Sequence, residues 1–144
     1  MSNPWYGISM TPREIEEFLN EQATGVLSLS KERRAYGIPM SFAYDPERER
    51  AVMDFGFAEE SKKREFIRST DEACLTVYEW NDPHDWKSVI MSGSLDPIDE
   101  ADVDEQLEGW YQRVAKDIDV PGANVELQWY ELHAEELYGV ALFE

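Results

Sequence analysis

The sequence predicts a mostly β, α+β fold, an antiparallel barrel of six to seven strands with flanking helices. Seven short segments are rich in β-branched and aromatic residues, and turn signals such as Asp45-Pro46 separate several of them. Helices do not alternate regularly with these segments, which disfavours a parallel sheet. A chain of 144 residues with 42% hydrophobic residues is expected to form a single domain, residues 1–144, with a substantial core.

A helix from about Pro12 to Glu21 is the first predicted element. Thr11 stands at the N-cap position, Pro12 suits the first helical turn, and Glu14 is the acid of a capping box. Met10 and Ile15 have the spacing of a hydrophobic staple.

The strands follow, interrupted once by a second helix. The predicted strand segments are GVLSLS, AYGIPMSFAYD, AVMDFGF, EACLTVYEW, KSVIMSGSL, NVELQWYEL and LYGVALF. The interrupting segment, DEADVDEQLEGWYQRVAKD, has apolar residues at helical spacing. These are Val103, Leu107, Trp110, Tyr111 and Val114.

Residues 35–45 alternate in an unusual way. One parity holds only large side chains, Tyr36, Ile38, Met40, Phe42 and Tyr44, and the other holds only small ones, Ala35, Gly37, Pro39, Ser41 and Ala43. Because successive strand residues point to opposite faces, the large set predicts a core face. The small set permits close approach either by another protein segment or by something flat. Pro39 lacks an amide donor, which favours an edge strand, a bulge or a break in pairing.

A basic cluster stands out in the segment EESKKREFIRS. It holds four of the thirteen cations, Lys62, Lys63, Arg64 and Arg68. A short helix starting after Ser61, with Phe66 and Ile67 turned inward, would place two lysines at the positive end of its dipole. A bound phosphate would relieve that conflict, with Ser61, Lys62 and Lys63 as its ligands. Alternatively, these cations pair in solvent with Glu59, Glu60 and Glu65.

The segment DWKSVIMSG offers a second candidate. It places Trp86, Lys87 and Ser88 where a loop enters a strand. An indole, a cation and a hydroxyl at such a position would orient a ring system. The alternative for Trp86 is a place in the core, and alternation favours the core for Trp129 as well.

Three segments in this order resemble the successive β-segments of the FMN-binding split-barrel proteins related to pyridoxamine 5'-phosphate oxidase. They are YGIPMSFAYD, MDFGFAEESKK and WKSVIMSGSL. The resemblance spans Gly25 to about Leu95, with the N-terminal helix in the expected place, and rests on the order and spacing of the segments. It implies a split β-barrel, a homodimer with FMN at the subunit interface, and an FMN-dependent oxidoreductase.

The resemblance also assigns cofactor contacts. It implies that the strand carrying Pro39, Met40 and Ser41 lies against the isoalloxazine ring, so that the small face admits a flat ligand. Ser61, Lys62 and Lys63 resemble the turn that holds the FMN phosphate. Gly56, Phe57 and Ser88 match further cofactor contacts. The C-terminus departs from that of pyridoxamine 5'-phosphate oxidase itself, which has basic residues there that help to bind its substrate. This chain has no Arg or Lys after Lys116. Oxidation of pyridoxamine phosphate is therefore not expected.

Other kinds of site find little support in the sequence. His84, His133 and the lone Cys74 show no metal-ligand spacing, and the carboxylates form no EF-hand loop. Cys74 is expected to be a small buried hydrophobe. The first residues lack a charged segment followed by an apolar one, and no apolar run is long enough to span a membrane, so a cytoplasmic protein is expected.

The charge balance predicts salt-dependent stability. The chain has 31 acidic and 13 basic residues and a formal charge of −18, which disfavours nucleic acid and anionic membranes as partners. The acids are spread over helices and loops, and their mutual repulsion is screened by salt. We therefore expect a protein of a high-salt cytoplasm, with an unfolding midpoint that rises with salt concentration. A midpoint that does not rise with salt would contradict this expectation.

Two classes of function follow from these observations. In the first, a dimer binds FMN and the flavin transfers hydride or electrons, with a nicotinamide donor or a small-molecule substrate as partner. In the second, the same barrel is a binding module that holds deazaflavin or haem, or holds FMN without turnover. Haem ranks lower because it requires a proximal ligand, and His84 is the one loop histidine.

Overall fold

Strand pairing divides the chain between two antiparallel sheets. The structure is a computed structural model, which describes residues 7–57, 61–115 and 126–143. The elements are β1 (Ile8–Ser9), α1 (Pro12–Glu21), β2 (Thr24–Lys31), β3 (Arg34–Ser41), β4 (Ala43–Asp45), β5 (Arg50–Phe57), α2 (Lys62–Ser69), β6 (Ala73–Asp82), β7 (Asp85–Gly93), β8 (Leu95–Pro97), α3 (Glu105–Val114), β9 (Glu126–His133) and β10 (Glu136–Phe143), with a 3₁₀ turn at Glu100–Asp102 before α3. One sheet has the strand order β1-β10-β7-β6-β2-β3 and the other β4-β5-β9-β8. The predicted antiparallel split barrel with flanking helices is confirmed.

Helix α1 has the predicted bounds and the predicted cap. The amide of Glu14 donates to the Thr11 hydroxyl at 3.2 Å, and the amide of Thr11 donates to the Glu14 carboxylate at 2.9 Å. Its apolar face, with Ile15, Phe18 and Leu19, is buried. The helix therefore closes one side of the main core.

The main core lies on the inward face of the six-stranded sheet. Leu27, Leu75, Val77, Val89 and Met91 are fully buried there. They alternate along their strands with the side chains of the opposite face. The large side chains of residues 35–45 also join this core, as predicted, with Tyr36 packed at its margin.

Residues 35–45 do not form one strand. The pairing breaks at Phe42, whose amide donates to the Ala23 carbonyl at 3.0 Å, and Ala43–Asp45 then pairs with β5 in the second sheet. β3 forms an edge of the six-stranded sheet, in agreement with the constraint set by Pro39. The predicted strand KSVIMSGSL is likewise split into β7 and β8, and the short strand β1 was not predicted.

Helix α3 is shorter than the predicted segment and buries the predicted face except at its last residue. It begins after the N-cap Asp104, whose carboxylate accepts from the Leu107 amide at 2.8 Å. Val103 precedes the helix, and Val114 is exposed, whereas Ala115 is buried. Val103, Leu107, Trp110 and Tyr111 pack on one small core as their spacing predicts, and Ala115 takes the buried place expected for Val114.

Under α3 lies a second, smaller core. Tyr111 and Trp129 meet edge to face there, with ring centroids 4.8 Å apart. The other buried members are Ala43, Val52, Ile98 and Ala115. Trp129 thus belongs to the core, as predicted. Leu127, on the same face of the strand, is exposed, and Val125 lies outside the described residues.

Candidate functional site

One face of the six-stranded sheet points away from the core and is uncharged across its middle. Residues that pair across neighbouring strands share a face, and the pairing forms two adjacent rows. We define the outer face by these rows, Pro39, Val26, Thr76, Ile90 and Tyr138 in one and Tyr78, Ser88 and Val140 in the other. Tyr78 is 61% exposed and Tyr138 is 53% exposed.

This composition is unexpected for a solvated surface of this chain. With 31 acidic residues among 144, a surface that faces water should carry carboxylates. An uncharged face with two exposed tyrosines is instead typical of an interaction site. The outer face is therefore the first component of the candidate site.

The small residues of β3 form the edge of this face, to which Pro39 belongs. Ala35, Gly37 and Pro39 are exposed, and a Cβ built at Gly37 meets only a Val26 methyl group, at 3.4 Å. The backbone is thus open to close approach by a flat ligand. Of the other two residues expected against the ring, Met40 points into the core and Ser41 is buried. The Ser41 carbonyl accepts a hydrogen bond from the Tyr111 hydroxyl at 3.4 Å.

The basic cluster forms the second component. Helix α2 begins after Ser61, as predicted, and its buried side chains are Phe66 and Ile67. The Ser61 hydroxyl accepts from the Arg64 amide at 3.1 Å and so caps the helix. The first amides of the helix lie at this end, where an anion is stabilised by the dipole.

Lys63 is partly buried and contacts the end of β5. Its ammonium donates to the Gly56 carbonyl at 3.3 Å, at the end of β5. Partial burial lowers the pKa of Lys63 below its ordinary value, because desolvation disfavours the charged form. A bound anion would compensate this desolvation.

Lys62 takes a different direction from Lys63. Its ammonium lies 4.8 Å from the centre of the Tyr36 ring and 5.6 Å from that of Phe66. Glu65, one of its expected partners, pairs with Lys31 at 3.6 Å instead. Glu59 and Glu60 lie outside the described residues. Among the described residues, Lys62 therefore contacts aromatic rings and Lys63 contacts a backbone carbonyl, and neither is paired with a carboxylate.

Gly56 and Phe57 end the strand that leads to this cluster. Gly56 supplies the carbonyl for Lys63, whereas the Phe57 ring is buried and stacks on Phe55 at 5.7 Å. The Arg64 guanidinium lies 4.9 Å from the Phe57 ring centre. The Phe57 ring thus contacts the basic cluster through Arg64.

Trp86, Lys87 and Ser88 are not brought together. Lys87 points to the opposite side of β7 from Ser88, with its ammonium 5.9 Å from the Phe18 ring centre and 5.7 Å from that of Phe143. Trp86 stacks on the exposed Trp80 at 6.3 Å, and its indole N–H donates to the Pro83 carbonyl. Ser88 lies within the outer face, and Trp86, two residues before it on the same side of β7, continues this face next to Trp80.

Several members of the outer face were not predicted from the sequence. Thr76, Tyr78, Ile90 and Tyr138 were not selected. The signal was present in β6, where Cys74, Thr76, Tyr78 and Trp80 occupy one parity without a charge. Cys74 is correspondingly half-exposed beside this face rather than buried, which corrects the expectation for it.

A separate polar cleft of about 770 Å³ lies between α3 and the β4–β5 turn. At its floor the buried Arg50 donates to Asp45 at 3.1 Å and to Glu131, and His133 contacts the other Glu131 oxygen at 2.6 Å. None of the predicted site residues lines this cleft. Because the Arg50 charge is compensated by two carboxylates, we interpret the cluster as a structural ion pair.

Two negative findings apply to residues 7–57, 61–115 and 126–143. No group of three or more His, Cys, Asp or Glu side chains is arranged to hold a metal ion. No helix in these ranges is both long enough and apolar enough to cross a membrane.

Comparison with known proteins gives a family and a set of similar folds. The family model described as pyridoxamine 5'-phosphate oxidase matches residues 11–141. Comparison with curated proteins finds no match.

Three solved structures illustrate the similarity in fold. A FAD-binding protein from Mesorhizobium loti has a TM-score of 0.69 at 18% identity, over 92% of this chain and 96% of its own. The FAD binding protein from Mycobacterium smegmatis has a TM-score of 0.65 at 15% identity, over 94% and 98%. A conserved protein of unknown function from Corynebacterium diphtheriae has a TM-score of 0.67 at 13% identity, over 93% and 96%.

Proposed function

This chain belongs to the pyridoxamine 5'-phosphate oxidase family, and we propose that it is a flavoprotein that binds FMN and acts as an oxidoreductase. The observation that carries the proposal is the Lys63 ammonium, which is partly desolvated beside the Gly56 carbonyl at the N-terminus of α2. A cation in this position is compensated when the phosphate of a cofactor binds.

The surrounding donors fit a phosphate monoester. Ser61, Lys62 and Lys63 combine a hydroxyl, two cations and the first amides of a helix, which together match several phosphate oxygens. The open backbone of β3 around Gly37 and Pro39 fits a flat ring. That the Mesorhizobium loti and Mycobacterium smegmatis proteins are named as FAD-binding supports a flavin over other ring systems.

The flavin would supply the redox chemistry, hydride or electron transfer, and the protein would position it. Lys63 would hold the phosphate, and Lys62 would reach it by turning away from the Tyr36 ring. Pro39 and Ser88 would border the ring from the outer face. No side chain is required as a nucleophile.

The same proposal includes a homodimer formed through the outer face. Eight uncharged residues, two of them exposed tyrosines, form a surface on which a second copy with the same charge of −18 can pack without opposing carboxylates. A ring bound beside β3 would then lie at the subunit interface.

The affinity for FMN should fall with pH through the lowered pKa of Lys63. The bound phosphate favours the charged ammonium, so above this pKa binding requires uptake of a proton. We expect a decline of up to about tenfold per pH unit there. Lys63→Arg remains charged and should show this decline only at higher pH.

Equilibrium titrations with FMN across the alkaline range test this expectation. Ionisation of the flavin itself affects both proteins equally, so the difference between wild type and Lys63→Arg is the informative quantity. Identical pH profiles would argue against a role for the Lys63 charge in phosphate binding.

Anaerobic addition of NADH or NADPH to the FMN-loaded protein tests the enzymatic part. Bleaching of the flavin absorption would support an oxidoreductase with a nicotinamide donor. Stable flavin absorption with both donors would favour the second class of function, a module that holds FMN without turnover. A protein that instead retains deazaflavin or haem would overturn the assignment of FMN.

A further inference from the structure

The polar cleft between α3 and the β4–β5 turn has the size of a small-molecule site. Its volume of about 770 Å³ lies within the usual range of about 300–1,000 Å³ for such sites. The β4–β5 turn, residues 97–102 and helix α3 enclose it. None of the residues assigned above to the phosphate site or to the outer face lines it. We call it the α3 cleft, and a ligand bound there would be separate from the flavin.

A buried arginine forms the floor of the α3 cleft and keeps unused donors. The Arg50 side chain is only 9% exposed. Its Nε donates to Asp45 at 3.1 Å, and its Nη1 donates to Glu131. Because a guanidinium has N–H groups on all three nitrogens, these bonds leave Nη2 without an acceptor among the described residues. Arg50 lines the cleft, so a ligand that reaches the floor has to present a hydrogen-bond acceptor.

The rim of the α3 cleft has the opposite preference. Exposed carboxylates outnumber exposed arginines there. The carboxylates are Glu47, Asp99, Asp102 and Asp104, and the arginines are Arg48 and Arg113. This excess, in a chain with a charge of −18, attracts a cation and repels a simple anion. Within the described part of the chain, Asp99 and Asp102 have no ion-pair partner, so both are available to a ligand.

One wall of the α3 cleft is apolar. Leu107 and Trp110 of helix α3 pack on the small core and also line the cleft. Ile98, which is buried in the same core, lines the cleft as well. Because the indole of Trp110 is held by this packing, it offers a preformed surface to an aliphatic or aromatic group.

We propose that the α3 cleft binds a small zwitterion with an apolar side chain, the chemistry of a hydrophobic α-amino acid. Its carboxylate accepts from Arg50 at the floor, and its ammonium lies at Asp99 and Asp102 on the rim. Its side chain packs on Trp110. A simple anion does not satisfy the rim and a simple cation does not satisfy the floor, so the ligand needs both charges.

Isothermal titration calorimetry of the 144-residue chain with three ligands tests this inference. The ligands are L-phenylalanine, phenethylamine, which lacks the carboxylate, and phenylpropionate, which lacks the ammonium. L-phenylalanine should bind at least about tenfold more tightly than either analogue, because each analogue loses hydrogen bonds between charged groups. Equal binding of phenethylamine would indicate a cation site, and equal binding of phenylpropionate would indicate an anion site. Either result overturns the inference, as does no binding of L-phenylalanine at about 10 mM.

Variants of the rim locate the binding. Asp99→Asn with Asp102→Asn should weaken the binding of L-phenylalanine at least about tenfold without weakening that of phenylpropionate. The matched control is Glu105→Gln with Glu108→Gln, which removes two exposed carboxylates of α3 that do not line the cleft. Unchanged binding in the aspartate variant, or an equal loss in the control, would show that the rim is not the site.

The inference and the proposed function fail separately. Thermal unfolding verifies the fold of both variants, and both should bind FMN with the affinity of the wild type, because the changed residues lie outside the phosphate site and the outer face. A protein that binds FMN and not L-phenylalanine contradicts only the α3 cleft. A protein that binds L-phenylalanine and not FMN contradicts only the flavin proposal.

Discussion

Replacing Lys62 and Lys63 together with methionine should weaken FMN binding at least about a hundredfold without lowering thermal stability. A hydrogen bond to a charged group contributes about 1.5–3 kcal/mol, so two lost contacts amount to a hundredfold or more. Methionine keeps an unbranched stem of similar length, which maintains the packing over Tyr36 and Phe66. Since burial disfavours the charge of Lys63, its removal should not destabilise the fold.

Fluorescence titration with FMN and a thermal unfolding scan measure both quantities. The control is Arg13→Ala with Arg48→Ala, because it removes two cations from exposed positions outside the site and tests the general effect of charge. FMN affinity that is unchanged in the lysine variant, or equally reduced in the control, would remove the assignment of the phosphate site.

Tyr78→Glu should convert the proposed dimer to a monomer and abolish FMN binding at the interface. Tyr78 is 61% exposed in the single chain and pairs with Ser88 across the outer face. A carboxylate from each copy would be buried in the dimer, which costs several kcal/mol and weakens association at least about a hundredfold. In size-exclusion chromatography with light scattering, the wild type should have twice the 16.7 kDa mass of the chain.

Gln106→Glu, an exposed change on α3, adds the same charge away from the outer face and should leave the dimer intact. A Tyr78→Glu protein that remains a dimer would show that copies associate through another surface. If the wild type is a monomer that nevertheless binds FMN, the proposed dimer is wrong and the proposed FMN binding stands.

Local signals in the sequence predicted the elements whose causes are local. The capping box of Thr11 and Glu14 determined the start of α1, and the alternation of large and small residues identified the core face of β3. The breaks between sheets were missed because their cause is distant in sequence. A Cβ at Gly93 would lie 1.7 Å from the His133 carbonyl oxygen, so β7 passes against the end of β9 at this point.

The part of the candidate site that depends on local sequence was predicted, and the part that depends on distant strands was not. The cluster around Ser61, Lys62 and Lys63 is contiguous in sequence, and its helical cap follows from local rules. The outer face combines residues from five strands, which only the strand order brings together. The opposite directions of Lys87 and Ser88 follow from strand alternation and were within reach of the sequence analysis.

Whether this protein binds a flavin is decided by its visible absorption spectrum. The protein is purified in high salt, mixed with stoichiometric FMN and desalted, and the spectrum is recorded before the addition and after desalting. Oxidised-flavin bands should remain with the protein through desalting. A colourless protein that neither retains FMN nor perturbs its spectrum would contradict the account while leaving the fold unchanged.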